Sequence, residues 1–204
     1  MNTFFTADLH LGHDNIRRHC RRPFATVEEM DEAIVANWNK AVGAHDLVYI
    51  VGDFAWKHHN THLARLKGKK ILVTGNHDKM SLDCLRNFTE VHQLLARTFD
   101  KQLVVMCHYC MTVWHSSCHG AWHLYGHSHG RIKELPNLPR CDVGVDVWDF
   151  APVPWEAIRL KLQGRKRELG RDTSELDANM ADNITANRDI IQALTQGATP
   201  TNQA

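Results

Sequence analysis

Three adjacent side chains that can bind a metal ion or move a proton, Asn76, His77 and Asp78, follow a short apolar segment of the sequence. Residues 71–73 favour a β-strand, and Gly75 permits a backbone turn that other residues resist. In open α/β sheets, ligands bind just beyond the carboxyl ends of the strands. A strand that ends in such a cluster therefore indicates an active site, although Asn and Asp are also common in ordinary turns.

The same layout recurs four more times along the chain. The other apolar segments are residues 3–7, 47–51, 103–107 and 122–125, and the polar residues that follow them are Asp8 and His10, Asp53, His108, and His127 and His129. Residues two apart in an extended segment point to the same side, so Asp8 and His10 are predicted to face together, as are His127 and His129. Five such segments in one chain indicate that these side chains converge on a single site.

The chemistry that this set implies is a centre of two divalent metal ions. Seven candidate ligands of mixed carboxylate, imidazole and amide type suit two first-row transition metals and contain too much nitrogen for calcium or magnesium alone. A single zinc ion would need only three or four ligands. Asp53 is the candidate bridge between metals about 3.5–4 Å apart, and manganese is the predicted metal, with iron, nickel, zinc or cobalt as alternatives.

Taken in order, these motifs resemble those of the calcineurin-like metallophosphoesterases, over roughly residues 3 to 130. The motifs are Asp8-x-His10, Gly52-Asp53, Gly75-Asn76-His77-Asp78, His108 and Gly126-His127-Ser128-His129. The resemblance implies an α/β fold, a four-layer α/β/β/α sandwich of two mixed sheets flanked by helices. It also implies ligand sets: Asp8, His10 and His129 for one metal, Asn76, His108 and His127 for the other, and Asp53 between them.

The resemblance also implies roles for residues that do not bind metal. His77 is expected to face the substrate, where it would steady the developing charge or protonate the leaving oxygen, and Asp78 is expected to orient His77. Residues 11–18 and 21–24 resemble a subgroup of small bacterial and phage members. Within that subgroup segment, His13 and Arg17 are candidate substrate contacts.

The activity implied by the resemblance is phosphoester hydrolysis by in-line attack of a metal-bound hydroxide. No inserted lid domain is apparent, which favours a phosphodiesterase acting on a small nucleotide-type substrate. The alternatives are a phosphomonoesterase acting on a small metabolite, a nuclease, and a non-catalytic scaffold of the same fold. A formal charge of +1 argues against general binding of nucleic acid or membranes. A scaffold would be expected to have lost ligands or His77.

Two further candidate substrate contacts, Tyr109 and Trp114, lie between two of the metal-binding segments. An aromatic ring there could stack on a nucleobase, or Trp114 could simply anchor its loop. A similar choice, between gripping a phosphate with two hydrogen bonds and serving as surface charge, applies to Arg17, Arg18, Arg21 and Arg22.

The 204 residues, of which 43% are apolar, suit one domain over residues 1–163 and a polar tail over residues 164–204. Thr26 and Glu29 form a capping box at the start of a helix. Further helices are predicted over residues 79–88 and 155–162, a hairpin over residues 91–106, and a strand that closes the second sheet within residues 141–147. The tail is predicted either to form an amphipathic helix, which could pair chains into an oligomer, or to be disordered.

The sequence also predicts a cytoplasmic location. Residues 1–11 show no export signal, and no apolar run approaches the roughly 20 residues that a membrane span needs. The six cysteines are accordingly predicted to be reduced thiols. A structural zinc knot is a less favoured alternative, because His108 within the same stretch is already assigned to the dinuclear site; its ligands would be Cys107, Cys110, His115, Cys118 and His119.

Overall fold

A computed structural model describes residues 1–135 and 138–165 of the chain. In this part the chain forms two mixed β-sheets with five α-helices. Apart from its first two residues, the polar tail predicted from residue 164 lies outside the described residues, and so do the roles proposed for it.

The first sheet contains five strands and carries most of the apolar segments found in the sequence. Its strands are β1 (Thr3–Thr6), β2 (Leu47–Val51), β3 (Lys69–Val73), β4 (Glu90–His92) and β9 (Val153–Pro154). Their order is β4-β3-β2-β1-β9. The four strands β1 to β4 are parallel, and β9 runs antiparallel to β1. The carboxyl ends of β1, β2 and β3 therefore meet at one edge of the sheet.

The second sheet has four strands, and their order across the sheet is the same as their order along the chain. They are β5 (Leu94–Phe99), β6 (Gln102–Cys107), β7 (Trp122–Tyr125) and β8 (Arg140–Asp142). The predicted hairpin is present as the antiparallel pair β5 and β6, whereas β6, β7 and β8 are parallel. As predicted, a strand from the segment after residue 140 closes this sheet.

Alternation of side chains along the strands of the first sheet builds two separate cores. On one face, Phe5, Tyr49 and Ile71 pack against apolar residues of the second sheet such as Met106 and Leu124. Phe4, Val48, Ile50 and Leu72 point to the opposite face and pack under helices. The strands are thus buried on both faces, as expected for a parallel sheet with a covered outer surface.

Four helices contribute side chains to the outer core of the first sheet: α1 (Asp14–His19), α2 (Val27–Ala41), α3 (His59–Arg65) and α4 (Leu82–Leu85). Helix α5 (Trp155–Leu162) has the predicted bounds and buries Ile158 and Leu162 in the core between the sheets. The predicted α/β class, with two mixed sheets flanked by helices, is confirmed. The outer face of the second sheet is covered more thinly, by Trp114 and Ala121 beside a 3-10 turn at Ser117–His119. No helix among the described residues is long and apolar enough to cross a membrane.

Helix α4 is shorter than predicted. A helix was expected over residues 79–88, with its amino end beside Asn76 and His77, but α4 covers only Leu82–Leu85. Its first turn is capped by Ser81, whose hydroxyl accepts a hydrogen bond from the Cys84 N–H. A single turn that begins at Leu82 gives no aligned helix dipole directed at the polar cluster.

Helix α2 begins with the predicted capping box. The Thr26 hydroxyl accepts a hydrogen bond from the Glu29 N–H at 3.1 Å, and the Glu29 carboxylate accepts one from the Ala25 N–H at 2.7 Å. Met30, Ile34 and Trp38 then lie on one buried face of the helix. The cap therefore fixes the start of the longest helix over the first sheet.

Thr26→Ala should lower the free energy of unfolding by about 1 kcal/mol, because the Glu29 N–H loses its acceptor. Urea denaturation followed by circular dichroism measures the change. Thr26→Ser keeps the hydroxyl and should retain most of the stability. Equal losses in the two variants would contradict a capping role.

Candidate metal centre

The predicted ligands lie where the two sheets bring strand ends together. Asp8 and Asp53 follow β1 and β2 of the first sheet, whereas His108 and His127 follow β6 and β7 of the second. The loops after β1 and β2 are joined by backbone hydrogen bonds from Asp8 N–H to Gly52 O and from His10 N–H to Asp53 O, both at 3.0 Å. Because those strands are parallel within each sheet, their ligands emerge at one edge.

Five of the predicted ligands adopt a left-handed backbone conformation. Their φ angles are 57° for Asp8, 51° for His10, 57° for Asp53, 65° for His127 and 48° for His129. Residues other than glycine adopt such angles at a cost, and they cluster at functional sites. The chain therefore turns at these residues and does not stay extended. Asp8 and His10 still face together in one ligand group, whereas His127 and His129 belong to different groups.

The first ligand group consists of Asp8, His10 and His129, each of which offers one atom within 4.8 Å of the others. The second consists of Asp53, His108 and His127 at the same spacing. The predicted division of Asp and His ligands between two metals is thus the division that the structure brings together.

The Asp53 carboxylate lies between the two groups. Its Oδ2 atom is 3.4 Å from His10 Nε2 and 3.3 Å from His108 Nε2. Both imidazole nitrogens are buried and have no hydrogen-bond partner within the described part of the chain. Buried polar atoms without partners are rare in native proteins and require an explanation such as a bound ion. These two nitrogens therefore fit a cation on each side of Asp53.

The pKa values of the ligand side chains are shifted in both directions. Burial opposes protonation of His108 and His129, but nearby carboxylates outweigh it, so the pKa of His108 is raised and that of His129 is raised to about 10; a metal would have to displace these protons. Burial lowers the pKa of His10 to about 2, so its imidazole is neutral and can act as a ligand. Burial also favours protonation of Asp53, but the adjacent His108 outweighs it and lowers the pKa of Asp53 to about 2. Burial raises the pKa of Asp8 to about 7, so a cation beside Asp8 is needed to keep it fully ionised at neutral pH.

A second layer of hydrogen bonds orients two of the histidines. His108 Nδ1 lies 2.9 Å from the Val51 carbonyl oxygen. Because a carbonyl only accepts, Nδ1 carries the proton and Nε2 is left as the metal-binding lone pair. His129 Nδ1 lies 2.8 Å from the Asp146 carboxylate, which has the same effect on that ring.

Arg22 holds Asp146 in place, and it neither lies at the surface nor is free to grip a phosphate, the two roles that the sequence left open for it. The Arg22 side chain is fully buried and donates two hydrogen bonds of 2.8 Å to the Asp146 carboxylate. It also donates to the carbonyl oxygens of Asp8 and Leu9. A single guanidinium thus fixes both the segment that carries Asp8 and the carboxylate behind His129. No local pattern could have revealed this pair, because 124 residues separate its members.

Two glycines provide the space that the Asp53 region needs. A Cβ atom on Gly52, whose φ is +92°, would lie 2.1 Å from His108 Nδ1. A Cβ atom on Gly75 would lie 2.3 Å from Asp53 Oδ1. Any larger residue at either position would displace a ligand.

Asp78 does not occupy the position expected of a residue that orients His77. Its carboxylate accepts backbone hydrogen bonds from Gly75 N–H at 2.7 Å, Asp53 N–H at 2.8 Å and Phe54 N–H at 2.9 Å. It therefore ties the loop after β3 to the loop after β2. The structure assigns Asp78 to the positioning of Asp53.

His77 lies at the mouth of the centre. Its ring centroid is 5.3 Å from that of His10, and its backbone N–H donates to Asp53 Oδ1 at 3.0 Å. The ring belongs to neither of the two ligand groups on either side of Asp53. Asn76, the remaining predicted ligand, is exposed in the same loop, between Gly75 and His77.

The four predicted substrate contacts divide into two pairs. His13 lies beside the centre, with its Nδ1 atom 3.3 Å from His10 Nδ1. Tyr109 is 47% exposed, and its ring centroid is 4.9 Å from that of His127.

The other two, Arg17 and Trp114, have structural roles. The Arg17 guanidinium is bound to the Asp14 carboxylate and to the carbonyl oxygens of Phe24 and Ala25. Trp114 is buried and donates to the Ala121 carbonyl oxygen at 2.9 Å, so it anchors its loop to the second sheet.

All six cysteines are free thiols. In residues 1–135 and 138–165, a third group of potential ligand atoms combines Cys20, His129 and Asp146. The five residues of the alternative zinc knot are not brought together in any of the three groups.

Two known proteins are similar to this chain over most of their length. It is 30% identical over 165 residues to the uncharacterised protein MJ1445 of Methanocaldococcus jannaschii, covering 76% of this chain and 88% of that protein. It is 26% identical over 187 residues to the Gene 66 protein of Mycobacterium phage D29, covering 74% of this chain and 92% of that protein.

One solved structure has the same fold, that of the protein of unknown function AQ665 from Aquifex aeolicus. Its TM-score is 0.62 at 22% identity, and the match covers 78% of this chain and 98% of that one. No protein-family model matches the chain.

Asp53→Asn should reduce the manganese retained after reconstitution and dialysis from two ions per chain to one or none, because an amide cannot serve as an anionic bridge. Elemental analysis measures the metal content, and circular dichroism checks folding. Asp83→Asn is the matched control, since the Asp83 side chain is 84% exposed. Two retained ions in Asp53→Asn would contradict a bridging role.

Asp146→Asn should lower the free energy of unfolding at pH 7 by about 3–5 kcal/mol, because it leaves the buried Arg22 without its charged partner. Burial raises the pKa of Asp146, but hydrogen bonds from His129 and Arg22 outweigh it and lower the pKa from 3.8 to about 2. The carboxylate therefore stabilises the fold above about pH 4, and this contribution disappears as the pH falls towards 2.

Urea denaturation at several pH values tests this expectation. The difference in stability between the wild-type protein and Asp146→Asn should shrink as the pH falls from 4 towards 2. Asp149→Asn, an exposed change in the same segment, should leave stability unchanged at every pH. A difference that stays constant with pH would contradict the ion pair.

Proposed function

Because the chain belongs to the family of the Methanocaldococcus jannaschii protein MJ1445 and groups its Asp and His ligands around Asp53, we propose that it is a metal-dependent phosphoesterase. The observation that carries this proposal is the pair of buried, unpartnered nitrogens, His10 Nε2 and His108 Nε2, on the two sides of the Asp53 carboxylate.

Seven residues would hold the two divalent metals. Asp8, His10 and His129 would bind one metal, Asn76, His108 and His127 the other, and Asp53 both. Manganese is the first expectation, with iron, nickel, zinc or cobalt as alternatives. When bound, such a pair polarises the phosphoryl oxygens and lowers the pKa of water, which supplies a nucleophile at neutral pH.

His77 would protonate the leaving oxygen of the ester. It lies beside the metal ligand His10 and outside both ligand groups, and its backbone is fixed by the Asp53 carboxylate. A positioned histidine that transfers a proton in the transition state contributes about 10²–10⁴-fold in rate. Asp78 contributes indirectly, because it holds the loops of Asp53 and His77 together.

The substrate that we propose is a small phosphodiester of nucleotide type. The site opens directly at the surface, where Tyr109 and His77 border the ligands. A phosphomonoester of a small metabolite would fit the same ligands.

A polynucleotide is the second candidate substrate. A recess of about 400 Å³ beside His129 is lined by His19, Arg21 and Arg131, which would attract a further phosphate. If a polynucleotide is the substrate, affinity should fall steeply with added salt.

Hydrolysis of bis(p-nitrophenyl) phosphate and p-nitrophenyl phosphate by manganese-loaded protein tests the proposal. We expect turnover of the diester that a chelator abolishes and manganese restores. His77→Ala should lower kcat by about 10²–10⁴-fold while two metals remain bound, and Asp53→Asn should lose activity together with metal.

His45→Ala is the matched control for His77→Ala, because His45 is exposed in the turn between α2 and β2, away from the metal ligands, and its loss should leave kcat unchanged. Two bound metals without turnover of either ester would overturn the proposed activity. Full activity in His77→Ala would remove only the role of His77.

A further inference from the structure

Trp56 differs from the other tryptophans of the protein because half of its surface, 51%, is exposed. The remaining five are buried or partly buried in cores, and they are Trp38, Trp114, Trp122, Trp148 and Trp155. Large aromatic side chains at the rim of a polar site are common points of ligand contact.

The Trp56 ring is held in a fixed orientation. Its backbone N–H donates to the Leu11 carbonyl oxygen at 2.9 Å, which joins the loop after β2 to the loop after β1. The indole stacks on the imidazole of His13, with ring centroids 4.4 Å apart and an angle of 11° between the planes. An aromatic surface fixed in this way loses little conformational entropy when a ligand binds.

This surface lies next to the group that would protonate the leaving oxygen. The ring centroid of Trp56 is 5.4 Å from that of His77, which is in turn 5.3 Å from the metal ligand His10. A recess of about 220 Å³, lined by polar residues such as Asn15 and Lys57, begins beside the indole. A substituent on the leaving oxygen would therefore extend over Trp56.

We propose that Trp56 is the stacking platform for a nucleobase carried by the leaving group of the ester. The proposal rests on the function proposed above and adds the part of the substrate that is recognised. Stacking needs only the face of a ring, so the platform would accept different bases. Tyr109 is the competing aromatic residue, and it lies beside His127 in the other ligand group.

Binding of AMP and ribose 5-phosphate to the full-length, manganese-loaded protein tests the platform. The two probes share a phosphate and a sugar and differ in the base. We expect AMP to bind at least about tenfold more tightly by calorimetry and to quench indole fluorescence, and ribose 5-phosphate to cause no quenching. Chromatography of the final mixture checks that AMP is intact.

Three variants separate stacking from packing. Trp56→Phe keeps an aromatic ring beside His13 and should retain the preference for AMP. Trp56→Leu fills similar space without such a ring and should make the two affinities equal. Tyr109→Leu should retain the preference. Equal affinities in the wild-type protein, an unchanged preference in Trp56→Leu, or its loss only in Tyr109→Leu would overturn the platform.

The test is independent of turnover. A preference for AMP that depends on Trp56, in a protein that hydrolyses no ester, would support the platform and overturn the proposed activity. Turnover of diesters without any preference for the base would support the activity and overturn the platform.

Discussion

The carboxylate of Asp53 lies between two buried imidazole nitrogens, and much of the surrounding structure serves to keep it there. Gly52 and Gly75 leave room for it. The Asp78 carboxylate accepts hydrogen bonds from the backbone N–H groups of Asp53 and Phe54 in the loop after β2 and of Gly75 in the loop after β3. These contacts require a left-handed backbone at Asp53 itself. Such local strain persists only where the surrounding structure determines the conformation.

Electrostatics explains why this arrangement is suited to cations. The side chains that surround the buried carboxylates of Asp8 and Asp53 include several imidazoles, among them those of His108 and His129. The one buried guanidinium nearby, that of Arg22, is directed at Asp146 and at backbone carbonyls. The positive charge beside these carboxylates comes from the histidines, whose pKa values they raise, and a bound divalent cation would take over that role.

The ligands and the two sheets could be predicted because their signals are local: apolar strands followed directly by Asp, His or Asn. The choice between a substrate contact and a structural role stayed open for Arg17 and Trp114, because side-chain packing decides it. Arg17 is bound by Asp14 and Phe24, and Trp114 packs beside Val105 of β6. Distant contacts decide the remaining cases. Asp78 faces the backbone of a neighbouring loop, and Arg22 meets Asp146 only after both sheets have formed. Sequence spacing carries no information about such pairs.

The ligand groups draw residues from both sheets, which has a consequence for how the protein matures. The Asp8 carboxylate accepts its hydrogen bond from the His127 N–H, a residue 119 positions away in the chain. Contacts of such long range form late and slowly during folding. If the chain binds metals as proposed, the complete ligand groups would form only when the two sheets dock, and bound metals would in turn stabilise that docking.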